Sequence, residues 1–438
     1  MQQRIKPLTL AVAGACAILS GGGAYASGFQ LLEQNASGLG NAYAGSAAVA
    51  ENASTVFFNP AGLTELKQTE ASMGVSVVQT SFKFTDNGSS VGALASTGDG
   101  NDGGTLGVIP NGYFSKPINE KLTFGVGVNA PFGLATEYND PWLGGAQALK
   151  FDIKTYNINP SLGYRVNDQV SVGIGINWQK IEAEYLRLSG ISAGTSLIHA
   201  LMQLDDTALG WNAGFLYKLS PSTKIGVSYR SKINYNTTGD VKLTSDGSVT
   251  GTGTLAALNA AGATSDLKAD ITTPDTLILS FVTEPNNRWT LLGDLSWTGW
   301  SSIPKVDIIR TSGVASGAIA QTLDTDFRDT WRIALGGSYK VNDAWKAKFG
   351  IAYDQTPVKS ETTRLASLPD NDRIWISVGG QYQHNANSKL DFGLSYLIID
   401  TTRINNNQTT GQTVPRGIVT GSYDSNAWIL GIQYSMKL

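Results

Sequence analysis

The chain has 438 residues, a formal net charge of −3 and a single cysteine. With no long basic block and one Cys, the composition argues against nucleic acid as a partner, a disulfide framework and a four-cysteine zinc site. Outside the first 26 residues no apolar run approaches the roughly 18 residues a spanning helix needs, yet Gly (50), Tyr (16) and Trp (10) are abundant.

Residues 1–26 read as a secretory leader. Arg4 and Lys6 make a positive start, Leu8–Leu19 is an apolar core, and Ala24-Tyr25-Ala26 is a small-x-small cleavage site. Cys16 follows Ala13-Gly14-Ala15, a poor lipidation signal, and cleavage after Ala26 leaves a mature chain without cysteine. A leader together with this Gly- and aromatic-rich composition points to a transmembrane β-barrel.

Residues 27–68 come next. The segment is rich in small residues, with Gly28, Gly38, Gly40 and Gly45 among alanines. It has neither strand alternation nor a long helical stripe. Asn59-Pro60-Ala61-Gly62 is a turn, because Pro60 pushes Asn59 out of the α region. Small side chains let backbone pack on backbone inside a lumen, so 27–68 is expected as a hatch plugging a barrel formed by 69–438. The alternative is a disordered N-terminal arm.

From there the chain alternates with period two. The last strand is the clearest: Trp428, Leu430, Ile432, Tyr434, Met436 and Leu438 share one face, while Ala427, Gly431, Gln433 and Ser435 share the other. In a barrel the apolar face meets lipid and the small polar face lines the lumen. Six short polar turns, the first at Pro117–Glu120 and the last at Asn385–Ser388, alternate with seven long connections rich in Gly, Ser, Thr, Asp and Asn. That pattern gives an all-β fold, a 14-stranded antiparallel barrel with both ends in the periplasm.

Three features stand out along the barrel. The third strand is interrupted at Asn129-Ala130-Pro131-Phe132-Gly133, a bulge or break. The connection Ser189–Thr207 carries Leu197, Ile198, Leu201, Met202 and Leu204 at helical spacing, and Thr252–Ala263 reads as a second short helix. Such helices pack together as a cap or frame an apolar capture groove. Finally, Asp326, Arg328, Thr330 and Arg332 share one parity, expected to face the lumen together with Arg373. Lumen arginines bind a carboxylate or pair with acids such as Asp326, Asp354 and Asp391.

Ser27-Gly-Phe-Gln-Leu-Leu-Glu-Gln-Asn-Ala-Ser-Gly-Leu-Gly, Phe57-Phe-Asn-Pro-Ala-Gly-Leu-Thr, Phe132–Trp142, Gly210–Leu219, Tyr229–Lys232, Phe327–Tyr339 and Leu368–Tyr382 stand in one order along the chain. Together they resemble the FadL-type outer-membrane transporters of long-chain fatty acids and other hydrophobic compounds. The resemblance implies fourteen strands with an N-terminal hatch that includes Gly28, Asn59, Pro60 and Ala61. It implies capture by the outer loops, where Leu197 and Leu201 lie, and a ligand pocket reached by Phe29. It implies lateral release into the bilayer where the third strand kinks, at Asn129, Pro131, Phe132 and Gly133. The family's fatty acid carriers have a base directly after a Lys-Ile-Glu like Lys180-Ile181-Glu182; here that position is Ala183, and the nearest base is Arg187. A second family base falls near Leu323. Arg187, Arg328 and Arg332 are therefore the candidate head-group ligands, and a neutral hydrocarbon is the competing substrate.

No catalytic constellation appears. His199 and His384 sit at opposite ends of the barrel, and there is no Gly-x-Ser-x-Gly elbow. No metal or cofactor is expected. The partners expected are hydrophobic small molecules and outer-membrane lipid, with the protein a monomer in the outer membrane. A water-filled porin and a surface adhesin or phage receptor are the remaining alternatives.

Overall fold

The structure, a computed structural model, describes residues 28–192, 196–245, 247–261, 263–410, 412 and 415–438. The leader 1–26, with Cys16, lies outside the described residues.

Period-two alternation folds as expected, with the apolar face outward. On the last strand, Trp428 (49%), Leu430 (59%) and Ile432 (49%) are exposed, while Ala427 (1%) and Gln433 (1%) are buried. This inversion of a soluble protein's order is what a strand between lipid and a filled lumen requires. Among the described residues the strand pieces combine into the fourteen strands of a closed antiparallel barrel. The first, Glu70–Asp86, zips onto the last, Ile418–Lys437, from Glu70↔Lys437 to Asp86↔Gly421. Closure removes the edge whose amides would otherwise meet hydrocarbon unpaired.

The N-terminal segment packs against the inward faces of the wall strands. From Gly28 to Glu65 it makes only brief helical turns, at Leu39–Asn41, Ser46–Val49, Thr55–Phe58 and Pro60–Glu65. Left-handed residues at Gly45 and Ala50 end the second of these at both sides. The Asn59-Pro60-Ala61 turn is a cap and a cross-link at once. Asn59 Oδ1 accepts from the Ala61 amide at 3.0 Å, and Nδ2 donates to Ala47 O at 2.6 Å and to the wall carbonyl Phe215 O at 3.0 Å. The wall must be bare here: a Cβ on Gly214 would lie 1.9 Å from Asn59 Oδ1.

A buried ion cluster fixes the same segment elsewhere. Lys348 Nζ donates to Ser37 O at 2.8 Å, Glu51 Oε1 at 2.9 Å and Asp391 Oδ1 at 3.0 Å. The side chains of Lys348 and Asp391 are 2% and 0% exposed, so neither charge is solvated.

Two expectations are corrected. The described residues of Ser189–Thr207 are not helical: they belong to a long hairpin, Val170–Ser192 paired with Ser196–Ser220. The i, i+4 spacing of leucines concealed a period-two row, Ile198, Ala200, Met202 and Leu204, all buried. Pairing on both sides, with Val170–Ser192 and with Ile233–Ser245, satisfies the backbone better than an isolated helix would. The second helix does form, at Val249–Ala260, with Ser248 Oγ accepting from Gly251 N at 2.9 Å. Among the described residues there is therefore no groove between two helices. Asp326 and Arg328 also precede their strand, Thr330–Lys340, and do not share its inward parity. Asp326 has φ 41° and is exposed. Arg373 is buried as expected, but its partner is Asp370.

Removing Lys348 strands Asp391 in a dry site, a change worth about 3–5 kcal/mol. Lys348→Met is expected to raise hydrogen exchange and protease sensitivity across residues 28–66 while the wall strands keep their protection. Equal protection of that segment in both proteins would show that the ion cluster does not hold it.

Candidate functional site: an apolar cavity beside a broken strand

Above the N-terminal segment lies an apolar space of about 700 Å³, counted together with the open volume at its mouth. Its lining includes Phe29, Phe151, Met202, Ile271, Ile308 and Leu365 and holds no charged side chain. Of its polar members, Tyr185 donates to Gln147 O at 2.5 Å and Thr325 to Ile303 O at 2.6 Å. Ala183 and Leu323, where the resemblance puts bases in the fatty acid carriers, both line this cavity. Their apolar side chains leave this part of the wall uncharged.

The floor is aromatic. Phe29 meets Trp300 edge-on at 4.8 Å and Phe132 at 5.8 Å between centroids. Trp300, fully buried, carried no sequence signal, because a lone Trp after a Gly resembles any loop aromatic. Its presence explains Gly28: φ is +64°, and a Cβ there would sit 2.6 Å from the indole. The Gly28 amide donates to Asp370 Oδ2 at 3.0 Å, and Asp370 also pairs with Arg373 and accepts from Thr356 Oγ1 at 2.6 Å. Below Phe29 a second space of about 590 Å³ is bordered by Gln30, Leu31, Pro131, Phe132 and Arg332.

This lower space abuts a break in the wall. The third strand runs as two pieces, Leu122–Asn129 and Gly133–Glu137. Both pieces pair with Lys150–Arg165, but only the first pairs with Leu106–Pro117, from Gly112↔Val128 downward. The ladder is restored at the outer end by Thr105 Oγ1 to Ala135 O, 3.2 Å, and Glu137 N to Gly103 O, 3.1 Å. Between them the N-terminal segment supplies the missing partner. Leu31 N donates to Pro131 O and Gly133 N to Phe29 O, both at 2.8 Å, around the bridge Gln30↔Phe132. Asn111, at the edge of the break, is buried with both amide atoms unpartnered, and Asn129 Nδ2 is unpartnered as well.

The other candidates separate. Arg187 is buried at the outer rim of the cavity, bonded to Gln321 Oε1 at 3.1 Å. Arg332 lies below the cavity, donating to Ala42 O at 2.7 Å with its guanidinium 5.2 Å from the Trp375 ring. Arg328 is outside, 43% exposed, against Thr356 O and 3.8 Å from Asp372. Leu201 pairs with Leu186 and Lys242 on the face opposite the buried Met202. Leu197 lies on the same strand; its side chain is outside the described residues.

An apolar belt around a closed barrel, a filled lumen and an apolar cavity beside a wall break define an outer-membrane transport barrel. The chain belongs to the family of outer membrane protein transport proteins (OMPP1/FadL/TodX), whose family model matches residues 17–438. It is 30% identical over 446 residues to a long-chain fatty acid transport protein of Escherichia coli O6:H1, covering 94% of each chain. It is 32% identical over 419 residues to outer membrane protein P1 of Haemophilus influenzae, covering 87% of this chain and 88% of that one. In fold it is similar to the crystal structure of a Pseudomonas aeruginosa FadL homologue, with TM-score 0.85, 24% identity and 94% and 100% of the two chains covered. It also resembles the Pseudomonas putida toluene transporter TodX, with TM-score 0.66, 17% identity and coverage of 94% and 100%.

One group in the N-terminal segment is electrostatically costly. Glu33 is fully buried, and neither carboxylate oxygen completes a hydrogen bond. Burial pushes its carboxyl from 4.5 up to about 8, against the pull of nearby amides and of Arg332 and Arg373. Packed in place, the segment therefore keeps a proton that a solvated segment gives up. Its docking weakens as pH rises from about 4.5 to about 8 and levels off above that. Protection factors of residues 28–66, with each amide's intrinsic pH-dependent exchange rate divided out, should be lower at pH 8.5 than at pH 5.5, and Glu33→Gln should flatten the difference. A pH slope that survives the substitution would exclude Glu33 as its source.

Proposed function

We propose that this protein is a passive outer-membrane transporter for long-chain fatty acids or related hydrophobic compounds. The observation that carries the reading is the pairing of Phe29–Leu31 with Pro131–Gly133, between the apolar cavity and the wall break. One short segment thus floors the cavity and fills the gap in the third strand. It acts as a hatch made of residues 27–68: solute entering the cavity displaces Phe29, the Gln30↔Phe132 bridge opens, and the lower space joins the break at Pro131. Asn129, Pro131, Phe132 and Gly133 then form a lateral gate.

A sideways exit suits the cargo. Each buried CH₂ is worth about 0.8 kcal/mol, so a sixteen-carbon chain gains on the order of 10 kcal/mol by never returning to water. Release into lipid keeps that gain, whereas an aqueous channel would forfeit it at its far end. Transport by this route is downhill, and no residue need do covalent chemistry. Neutral aromatic or alkane hydrocarbons are the second reading, favoured by the apolar Ala183 and Leu323 in the cavity wall.

Gln30 and Phe132 face each other as a non-hydrogen-bonded antiparallel pair, for which Cα atoms lie about 4.5 Å apart, within disulfide reach. The double variant Gln30→Cys/Phe132→Cys is expected to stop uptake of labelled oleate when oxidised and to recover it on reduction. Uptake that continues through the cross-linked protein would rule out the hatch and gate as the route.

A further inference from the structure

The wall carries a second interruption, this one bordering the apolar cavity itself. One strand runs as Ser265–Thr273 and Thr276–Thr283, the next as Trp289–Thr298 and Val306–Arg310. Their lower pieces pair from Thr283↔Leu291 up to Thr276↔Thr298. Their upper pieces pair only at Lys268↔Ile309 and Leu267↔Arg310. Between these, residues 269–275 and 299–308 form no ladder pair with each other, and Gly299 N to Asp275 O, 3.0 Å, marks the lower end. The cause is local. Pro274 has no amide to donate, and the turn Trp300–Ser302 carries the facing chain inward. Trp300 is buried there against Phe29, Phe132 and Phe327.

Side chains close this slit. Ile271 from one edge and Ile303, Val306 and Ile308 from the other are buried, and all four line the cavity. On the outer surface the same stretch presents Asp270, Ser301 and Lys305, all exposed. Directly below it the lipid-facing row is Leu277, Trp297 and Trp331, neighbours across three strands. The slit therefore stands just above the aromatic belt, at the depth of the outer leaflet's head groups. Its hydrogen bonding is incomplete: the Trp300 indole N–H is buried without a partner, a donor that a passing polar group would meet. Gln30 clasps the lower end from within. Its Nε2 donates to Thr276 Oγ1 at 3.2 Å, and its Oε1 accepts from Thr298 Oγ1 at 3.1 Å. The same residue makes the bridge to Phe132 at the other break.

We propose that this slit is a lateral entry port, through which an amphiphile or hydrocarbon lying among the outer leaflet's head groups passes straight into the cavity. The inference rests on the reading of the cavity as a solute site and gives that site its own door to the membrane surface. Parting Ile271 from Ile303 breaks no ladder bond, and the apolar edges meet a tail that is itself apolar, so passage leaves little new apolar surface in water. Solute arriving here presses on Trp300 and Phe29 together. Gln30, fastened at both interruptions, ties the closing of one to the closing of the other.

The test attaches a bulky maleimide at the mouth of the slit, on Thr272→Cys, and follows binding of radiolabelled oleate to the detergent-purified protein. Thr238→Cys with the same label is the control, exposed on the neighbouring strand, which pairs on both sides. Labelled Thr272→Cys is expected to lose most of its binding rate while the amount of oleate bound at equilibrium stays that of the unlabelled variant, because a blocked door slows arrival and departure alike. The labelled control should keep both. An unchanged rate in labelled Thr272→Cys would overturn the port and leave the transport reading intact, and so would equal slowing of the control. A fall in the amount bound that matches the fall in rate would also overturn it, assigning the effect to a damaged cavity. No oleate bound by the unlabelled wild type would remove the cavity as a solute site, and the port with it.

Discussion

Backbone hydrogen bonding in lipid is the constraint on which the rest of this molecule depends. Hydrocarbon offers no partner to an amide, so a barrel wall must satisfy itself or be satisfied from inside. The wall does the first along the seam from Glu70↔Lys437 to Asp86↔Gly421. At Pro131 it does the second. A proline cannot donate to a ladder, and the strand that should flank it pairs no further than Gly112↔Val128. The carbonyl of Pro131 and the amide of Gly133 are met by the backbone of Leu31 and Phe29. The interior segment is thus part of the wall at its weakest place.

That arrangement is held by polar contacts of unequal kind. Lys348 ties the segment down through Ser37, Glu51 and Asp391, a set in which one ammonium meets two carboxylates. Asn59 does the same through neutral bonds to Ala47 and Phe215. Glu33 works against them, because it is buried without a completed hydrogen bond. The segment is thus anchored at Lys348 and Asn59, and the buried Glu33 opposes that anchoring.

Aromatic contacts floor the cavity. Phe29, Phe132, Trp300 and Phe327 form a chain of tilted and edge-on rings between the apolar space and the polar lumen below. Such contacts exclude water without using directional bonds, so the rings can part and close again at small cost. Charge is confined to the margins, with Arg187 and Arg416 above and Arg332 below.

Much of this was legible in the sequence because its cause is local. Side-chain alternation on a pleated strand has period two whatever the rest of the chain does, so the barrel, the strand count, the outward row from Trp428 to Leu438 and the break at Pro131 could be read from residue order. The Asn59-Pro60 turn was legible for the same reason, since Pro60 restricts its neighbour directly. The hairpin at Ser189–Thr207 was not. Its leucines fit a helix and a strand equally, and the presence of ladder partners on both sides decided between them. The parity of Arg328 failed because the strand begins at Thr330, a boundary set by where the neighbouring strand offers its amides. Trp300 under Gly28, the meeting of Phe29–Leu31 with Pro131–Gly133, and the clasp of Gln30 on Thr276 and Thr298 join residues hundreds of positions apart in the first and third cases and about a hundred in the second. Residue order fixes what each strand must do with its own two faces; which distant segments then share a surface is settled only when the barrel closes around its N-terminus.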